Sequence, residues 1–359
     1  LLLIGFKSRV AGISSIDKPI YFGLNVCVDQ YTSNLLPYQA NTSQKGQFLR
    51  YESQPLYLAF GGAISNVLRG VDVGASARLT LQAKANLEAV SDLGGNTDGT
   101  GGGCIAQEVA DEIVSKGGDA DANTNSVAEI EGGKSIIDSA VEAFGGLDIL
   151  VNNAGILRDR TIFNMEESDW DAVIAVHLKG HYCCTRPFAQ YIREQNRTGC
   201  RIINFSSVSG LYGNFGQANY GAAKAGIAGF SRVIALELAK YGCTSNTISP
   251  GALTRMTIPL RENRGEKIES TDLESGGPQH IAPICAWLAS EASAGITSEI
   301  FHTGRGGISI MQQPKVIKQF VKKSGLWSLE ELDQVVPQLV EAKKENIASA
   351  DTSGAPIEV

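Results

Sequence analysis

The chain has 359 residues, 43% of them hydrophobic, and a formal net charge of −7. That apolar content supports a substantial core rather than disorder, and an acidic chain lacks the basic footprint that a nucleic-acid partner requires. No run of about 18 apolar residues is present to span a membrane, so the expected partner is a small molecule, not nucleic acid or lipid.

Residues 1–55 scatter Tyr, Asn, Gln, Ser and Gly with no period of 2 or 3.6, and are expected to be an irregular, divergent N-terminal segment. The texture changes near residue 56 and becomes regular from Asp92. Residues 104–116 (CIAQEVADEIVSK) place Ile105, Val109 and Ile113 at four-residue steps, a helix face that Gly117-Gly118 stops. A second helix is expected over 126–144, with Ile136, Ile137, Val141 and Phe144 as its apolar stripe despite Gly132-Gly133. The run LDILV (147–151), ending in NNAG, reads as a strand buried on both faces.

A long helix follows over 168–194, a buried strand over 201–207 (RIINFSS) and a helix over 220–241. Residues 244–249 (TSNTIS) form a strand stopped by Pro250-Gly251; a helix over 280–290 and a last strand over 299–303 complete the series. Strands alternating with helices of ten or more residues predict a doubly wound, parallel α/β sheet, Rossmann-like, with helices on both faces. It is expected to occupy 56–310, with 311–359 a polar C-terminal tail carrying one helix over 328–343.

The seven cysteines (Cys27, Cys104, Cys183, Cys184, Cys200, Cys243 and Cys285) are odd in number, and no pair has metal-ligand spacing. They read as reduced thiols in a cytosol-like compartment. His177 and His181 stand four apart on a helix, but zinc needs more ligands nearby and none follows, so no metal is expected. LLLIGFKSR is too short for a signal peptide, and APIEV carries no peroxisomal address. Cytoplasmic residence is the expectation, and the start on Leu rather than Met suggests a missing natural N-terminus.

The chemistry concentrates around Tyr220-Gly-Ala-Ala-Lys224. Residues four apart share a helix face, so both side chains can converge on one ligand. A free phenol, with a pKa of roughly 10, is a poor base at neutral pH, and a nearby ammonium is expected to lower that value. The pair then exchanges protons near neutrality. Ser207 lies thirteen residues before Tyr220 at the carboxyl end of the RIINFSS strand, the edge where open α/β sheets bind ligands. Its hydroxyl can meet a substrate oxygen; Ser206 is the competing choice, and either could merely cap the turn. Asn152-Asn153-Ala154-Gly155, directly after LDILV, suits a tight turn against a flat ligand.

Taken together, NNAG, a serine thirteen before the tyrosine, YxxxK and a Pro-Gly after the next strand resemble the short-chain dehydrogenase/reductase family. The stretches GILRDR, VHLKG, SGLYGNFGQANY and TRMT are similar to its (3R)-hydroxyacyl-CoA dehydrogenase branch, typified by the dehydrogenase domain of peroxisomal multifunctional enzyme type 2 and bacterial relatives. The resemblance covers roughly residues 91–310 and implies a hydride-transferring oxidoreductase acting on a secondary alcohol or ketone, 3-hydroxyacyl thioesters among them.

It implies Tyr220 as general acid/base, Lys224 as the group that lowers its pKa and holds the nicotinamide ribose, and Ser207 as the group orienting the substrate oxygen. Asn152, Ala154 and Gly155 would line the cofactor, with Pro250, Gly251 and Thr254 by the nicotinamide carboxamide. Asp92 would accept bonds from the adenosine ribose and repel a 2′-phosphate, which favours NAD over NADP. Homodimers or homotetramers are the family's usual assemblies.

Three positions depart from the family pattern. His177 replaces an Asn that helps a proton relay; a histidine can relay a proton itself or serve as a core residue. Asn125 replaces an Asp by the adenine and can both accept and donate. The glycine-rich turn that meets the pyrophosphate is not visible: LRGVDVGASARL carries Gly70 and Gly74 at the wrong spacing, and YLAFGGAISNVL carries Gly61-Gly62 too far upstream. The missing turn motivates the alternative expectation, a catalytically inactive relative with impaired cofactor binding that acts as a structural or oligomer partner.

Overall fold

The computed structural model describes residues 2–5, 21–23, 57–59 and 87–349, except 93, 95, 104, 116–117, 255, 263–264, 266, 270–271 and 273–274. The chain divides into two compact units, Leu1–Met311 and Gln312–Val359.

In the first unit the strands are β1 Leu2–Gly5, β2 Tyr21–Gly23, β3 Tyr57–Ala59, β4 Leu87–Ser91, β5 Asp119–Asn123, β6 Ile149–Asn152, β7 Arg201–Phe205, β8 Thr244–Pro250, β9 Ile300–Gly304 and β10 Gly307–Ile310. The helices are α1 Ile105–Ser115, α2 Ile130–Phe144, α3 Glu167–Ile174, α4 Gly180–Glu194, α5 Val208–Tyr212, α6 Ala218–Leu238, α7 Ile258–Glu262 and α8 Ala282–Ala289. A π-helical turn, Ala175–Lys179, joins α3 to α4.

The main sheet has the order β10-β9-β8-β7-β6-β1-β4-β5. Strands β6 to β9 pair in parallel, as do β4 and β5. Every residue of β6 and β7 is buried, because helices cover both faces. On one face Val90, Val151, Ile203 and Ile248 meet Val109 and Ile113 of α1 and Ile284 and Leu288 of α8. On the other, Ala89, Leu150 and Ile202 meet Ile136 of α2, Phe188 and Ile192 of α4 and Ile234 of α6. Each such aliphatic side chain contributes roughly 1.5–3 kcal/mol by leaving water.

Glycine inside α2 is explained by proximity: a Cβ on Gly133 would lie 2.2 Å from the Cys183 carbonyl of α4. A glycine costs a helix interior about 1 kcal/mol relative to Ala, and here the close helix crossing requires it.

The parallel α/β sheet expected from the sequence is present, with two additions. β10 turns back as an antiparallel hairpin partner of β9. More consequentially, β1 lies between β4 and β6 and runs antiparallel to both. The segment expected to be irregular therefore supplies a central strand, and also β2, which pairs in parallel with β3. Leu-Leu-Ile-Gly is short and apolar, so it suits a slot covered on both faces, and apolar character does not fix direction. β5 escaped the sequence pattern because Asp-Ala-Asp-Ala-Asn has no apolar run.

The chain steps from β4 outward to β5 and then returns past β1 to β6. Such a reversal opens a crevice at the carboxyl edge of the strands, where ligands of these sheets bind.

The second unit carries α9, Leu329–Ser349. Its start is a reciprocal cap: the Glu331 N–H donates to Ser328 Oγ (3.2 Å), and the Ser328 N–H donates to Glu331 Oε2 (2.7 Å). No helix among the described residues is long and apolar enough to cross a membrane.

Candidate active site

β7 and α6 are stitched together where the chemistry is expected. Ser206 Oγ donates to the Lys224 carbonyl (2.7 Å), and Lys224 Nζ donates to the Phe205 carbonyl (2.7 Å). Both side chains are buried, and both bonds hold the end of the strand to the second turn of the helix. Ser206 is thereby committed to backbone. Ser207, next along the chain, caps α5 by accepting from the Ser209 N–H (3.2 Å), which leaves its own hydrogen to donate. That hydroxyl acts on Tyr220, favouring its ionised form.

Tyr220 is partly buried on α6, one turn before Lys224, whose Nζ lies 5.5 Å from the ring centroid. Burial pushes the phenol up to about 12, with Ser207 pulling it down and Asp159 pushing it further up. Burial pushes Lys224 down to about 7. The expected lowering of the tyrosine by Lys224 is thus not what the protein alone provides. The ammonium is turned to the Phe205 carbonyl, and desolvation dominates.

His177 projects inward from the π-helical turn, 1% exposed, with its ring edge-on to Tyr220 at a centroid distance of 5.1 Å. Its Nε2 lies 3.1 Å from the Ile156 N–H and 2.8 Å from the Ile156 carbonyl. One nitrogen cannot accept from the first and donate to the second at once, so the two tautomers exchange partners without moving the ring. Nδ1 is buried without a partner among the described residues. Burial, followed by the charge of Lys224, holds this imidazole well below the usual histidine range. A Cβ on Gly155 would lie 2.4 Å from His177 Cε1; glycine in the NNAG turn is what lets the imidazole approach.

His181 does not join His177 as a ligand pair. Its Nδ1 donates to the His177 carbonyl (2.6 Å). No group of three His, Cys, Asp or Glu side chains suited to a metal ion occurs among the described residues.

The residues expected to face the cofactor are distributed along the carboxyl edge. Asp92 follows β4; its Oδ1 accepts from the Gly94 N–H (2.7 Å), and its own N–H donates to the Asn123 carbonyl (3.2 Å). Asn125 is exposed at the end of β5, with its amide hydrogens given to Asn123 Oδ1 and Ser135 Oγ (3.0 Å each), so its carbonyl oxygen is what remains for a ligand. Pro250 ends β8, and the Gly251 N–H donates to the Thr303 carbonyl (2.7 Å). Thr254 is held in a turn by Thr257 (2.8 Å). Ala154 packs against the α4 side of the core.

Asn152, expected to line the cofactor, spends its side chain in the interior. Its amide donates to Thr185 Oγ1 and Asn204 Oδ1 (3.0 Å each) in the interior, and Asn204 in turn reaches Ser231 and Ser245. Strand alternation turns this side chain into the sheet-to-helix layer, where it serves a buried polar network.

Two residues just before Tyr220 do not stand out in the sequence. Asn219 is fully buried; it donates to the Arg158 and Asp169 carbonyls (3.0 Å each) and accepts from the Tyr220 N–H (2.8 Å), fixing the backbone that carries the phenol. Gln217 donates to Asp159 Oδ2 (2.7 Å) and accepts from Asn214 (2.9 Å). The signal available was the polar run QAN directly before Tyr220.

A nicotinamide dinucleotide fits these groups at both ends. The Asp92 carboxylate is an acceptor of the kind ribose hydroxyls need, and Lys224 Nζ spends one of three hydrogens on Phe205. The sequence candidates for the pyrophosphate turn, Gly61-Gly62, Gly70 and Gly74, lie outside the described residues.

Fold and site together define a nicotinamide-dependent oxidoreductase of CH–OH groups. The short chain dehydrogenase family profile matches residues 104–265. Hydroxyacyl-CoA dehydrogenase ChsB1 of Mycobacterium tuberculosis is 37% identical over 236 residues, 63% of this chain and 74% of that protein. Mouse peroxisomal multifunctional enzyme type 2 is 39% identical over 269 residues, 74% of this chain but 35% of the mouse enzyme's length. The crystal structure of a short chain dehydrogenase from Mycobacterium avium superposes with a TM-score of 0.62 at 42% identity, covering 71% of this chain and 86% of that one. The chain belongs to the short-chain dehydrogenase/reductase family.

Proposed function

We propose that this chain interconverts a 3-hydroxyacyl thioester and its 3-oxoacyl counterpart, with NAD as its cofactor. The observation that carries the reading is the convergence of Ser207, Tyr220 and Lys224 at the carboxyl edge of β7. The thioester class is supported by the likeness to a hydroxyacyl-CoA dehydrogenase. The alternative, an inactive relative, draws no support from a site whose three reacting groups are all present.

The nicotinamide ring, when bound, accepts or supplies the hydride. Ser207 keeps a hydrogen to donate to the substrate oxygen. Tyr220 removes the proton from that oxygen during oxidation and returns it during reduction. Because burial favours the neutral phenol, the phenolate needs positive charge nearby; Lys224, with Nζ 5.5 Å from the ring centroid, would supply part of it when protonated and oxidised nicotinamide the rest. Lys224 would also hold the nicotinamide ribose. His177 packs against Tyr220 and can shift between tautomers as the proton moves.

Asp92, beyond β4, would accept from the adenosine ribose and disfavour a 2′-phosphate, which supports NAD over NADP. Asn125 would face the adenine, and Gly155, Pro250, Gly251 and Thr254 the nicotinamide end. Val233 and Leu236 are 51% and 77% exposed on α6, which supports a homodimer or homotetramer assembled through that helix. The buried, unbridged Cys183, Cys184, Cys200, Cys243 and Cys285 suit a reducing compartment such as the cytoplasm.

The test is turnover of 3-hydroxybutyryl-CoA by the full chain, followed as reduced cofactor formed with NAD and, in parallel, NADP. Turnover with NAD is the expected result. No turnover of it, or of simple secondary alcohols, with either cofactor would overturn the reading.

A further inference from the structure

Three consecutive residues after β6 face two ways. On one side, Ile156, Leu157 and Arg158 engage three consecutive residues of the loop after β4. The Leu157 N–H donates to the Thr97 carbonyl (2.7 Å), Arg158 Nε donates to the Asp98 carbonyl (2.8 Å), and a Cβ on Gly99 would lie 3.0 Å from Ile156 Cδ1. On the other side, the same residues reach the neighbours of Tyr220. The Ile156 main chain meets Nε2 of His177, whose ring stands edge-on to the phenol. The Arg158 carbonyl accepts from Asn219 (3.0 Å), and Asn219 Oδ1 accepts from the Tyr220 N–H (2.8 Å).

The loop after β4 is tied at its ends and across its middle. It opens on Asp92, whose Oδ1 accepts from the Gly94 N–H. A Cβ on Gly94 (φ +70°) would lie 2.5 Å from the Gly103 nitrogen, so the two ends of the loop touch. Between them the Asn96 N–H donates to the Thr100 carbonyl (2.7 Å) and the Gly99 N–H to the Asn96 carbonyl (3.0 Å). A loop bound in this way moves as one piece, so a shift at Asp92 is carried to Thr97, Asp98 and Gly99.

Arg158 joins the two sides through both its side chain and its main chain. Its guanidinium spans the Asp98 carbonyl and the Ser168 carbonyl in the first turn of α3 (3.2 Å). Ser168 directly precedes Asp169, whose carbonyl takes the second Asn219 bond (3.0 Å). Asn219 is fully buried, so no water replaces either acceptor if it shifts.

We propose that Arg158 is a positioning residue, through which occupation of the adenosine end by the cofactor aligns Tyr220 for proton transfer. The inference rests on the proposed reading in which Asp92 meets the adenosine ribose and Tyr220 exchanges the proton. Binding energy gained at a remote part of a ligand speeds a reaction only when it is spent at the reacting centre. The bonds from Asp92 through Arg158 to Asn219 are a physical route for that transfer, and misplacing a reacting group by 1 Å costs roughly a hundredfold.

The test uses ADP, which carries the adenosine but neither the nicotinamide nor its ribose, and so has no group to meet Tyr220 directly. Hydrogen exchange of the full chain follows the Leu157 and Tyr220 amides, the donors of two of these links. ADP should slow exchange at both by about fivefold, the lower end of ordinary coupling. Arg158→Met removes both guanidinium bonds and keeps the carbonyl that holds Asn219. In that variant ADP should still slow exchange at Gly99 but no longer at Tyr220. With 3-hydroxybutyryl-CoA, its kcat should fall by about tenfold while KM for NAD stays within a factor of about two. Arg158→Lys, which reaches only one of the two carbonyls, should recover part of kcat. Tyr220 exchange that ADP leaves unmoved in the parent, or slows equally in Arg158→Met, overturns the proposal. So does a variant that loses NAD affinity and kcat together, which would make Arg158 part of the cofactor wall. A parent that turns over without ADP-linked protection at Tyr220 overturns the coupling and leaves the dehydrogenase reading intact; one that shows the protection but no turnover with NAD or NADP overturns that reading and leaves the coupling.

Discussion

The two flanks of the crevice at the carboxyl edge are held by different physics. On the β6–β9 side the strands run in one direction, and polar bonds that tolerate only one arrangement fix the site: Ser206 to Lys224, Lys224 to Phe205, Asn219 to Arg158, Asp169 and Tyr220. On the β4 side, an apolar tetrapeptide fills the central slot against the direction of its neighbours. Apolar burial is non-directional and polar bonding is not, so the first flank specifies geometry and the second specifies occupancy. The reversal has a functional edge: β1 leaves the sheet at Gly5, opposite Glu88 and Ile149, the starts of β4 and β6.

The largest effect that would break this contrast is on catalysis. Tyr220→Phe removes the proton carrier but none of the bonds that fix α6, since Asn219 binds the residue 220 backbone. Turnover should fall by about 10²–10⁴-fold, with NAD affinity by calorimetry unchanged within a factor of about two and the melting temperature preserved. A variant as active as its parent would remove Tyr220 from the mechanism. Asn152→Leu probes the same flank by stability. It leaves Thr185 Oγ1 and Asn204 Oδ1 without their donor, at a cost of about 1–3 kcal/mol each. Denaturant unfolding should show that loss; a variant of parental stability with weakened NAD binding would instead restore Asn152 to the cofactor wall.

How much of this was legible in the sequence follows the same divide. Strands such as β6 and β7 announce themselves because burial on both faces demands continuous apolar residues. The placement of Tyr220 and Lys224 one turn apart on a helix, and of Ser207 at the end of the strand before it, was legible because helix and strand periodicities fix those positions. The inward turn of Asn152 was not, because the NNAG motif does not say which face of the strand its first residue takes. Asp159, Gln217 and Asn219 were hidden because their meaning depends on contacts across 50 residues or more, such as Asn219 with Asp169 and Gln217 with Asp159. β1 was hidden because a four-residue apolar run carries too little period to read and no direction at all.

A smaller effect concerns acidity. His177 and His181 are buried, and burial holds both below the ordinary histidine value, His181 at about 3. For a group whose folded pKa is depressed, the unfolded chain binds protons first as pH falls. Stability is therefore full above about pH 6.5 and declines below it, by up to about 1.4 kcal/mol per pH unit for each histidine. The window runs from about 6.5 towards 3 for His181. Unfolding midpoints at pH 7 and pH 5 measure it, and replacing His181 by Gln should flatten the slope. An unaltered slope would mean that carboxylates, not the buried imidazoles, govern acid loss.

The smallest effect sharpens the weaker flank. Asp92 is tied through Oδ1 to the Gly94 N–H and through its own backbone to β5, so its carboxylate is oriented although the central strand beside it runs backward. If that orientation suffices to read the adenosine ribose, Asp92→Ser should weaken NAD by a few-fold and tighten NADP, narrowing their ratio by about tenfold, one unit of charge-based discrimination. Serine still accepts from the Gly94 N–H, so the loop should survive the change. If both cofactors bind the parent equally and the variant leaves the ratio unmoved, the β4 side contributes no selectivity.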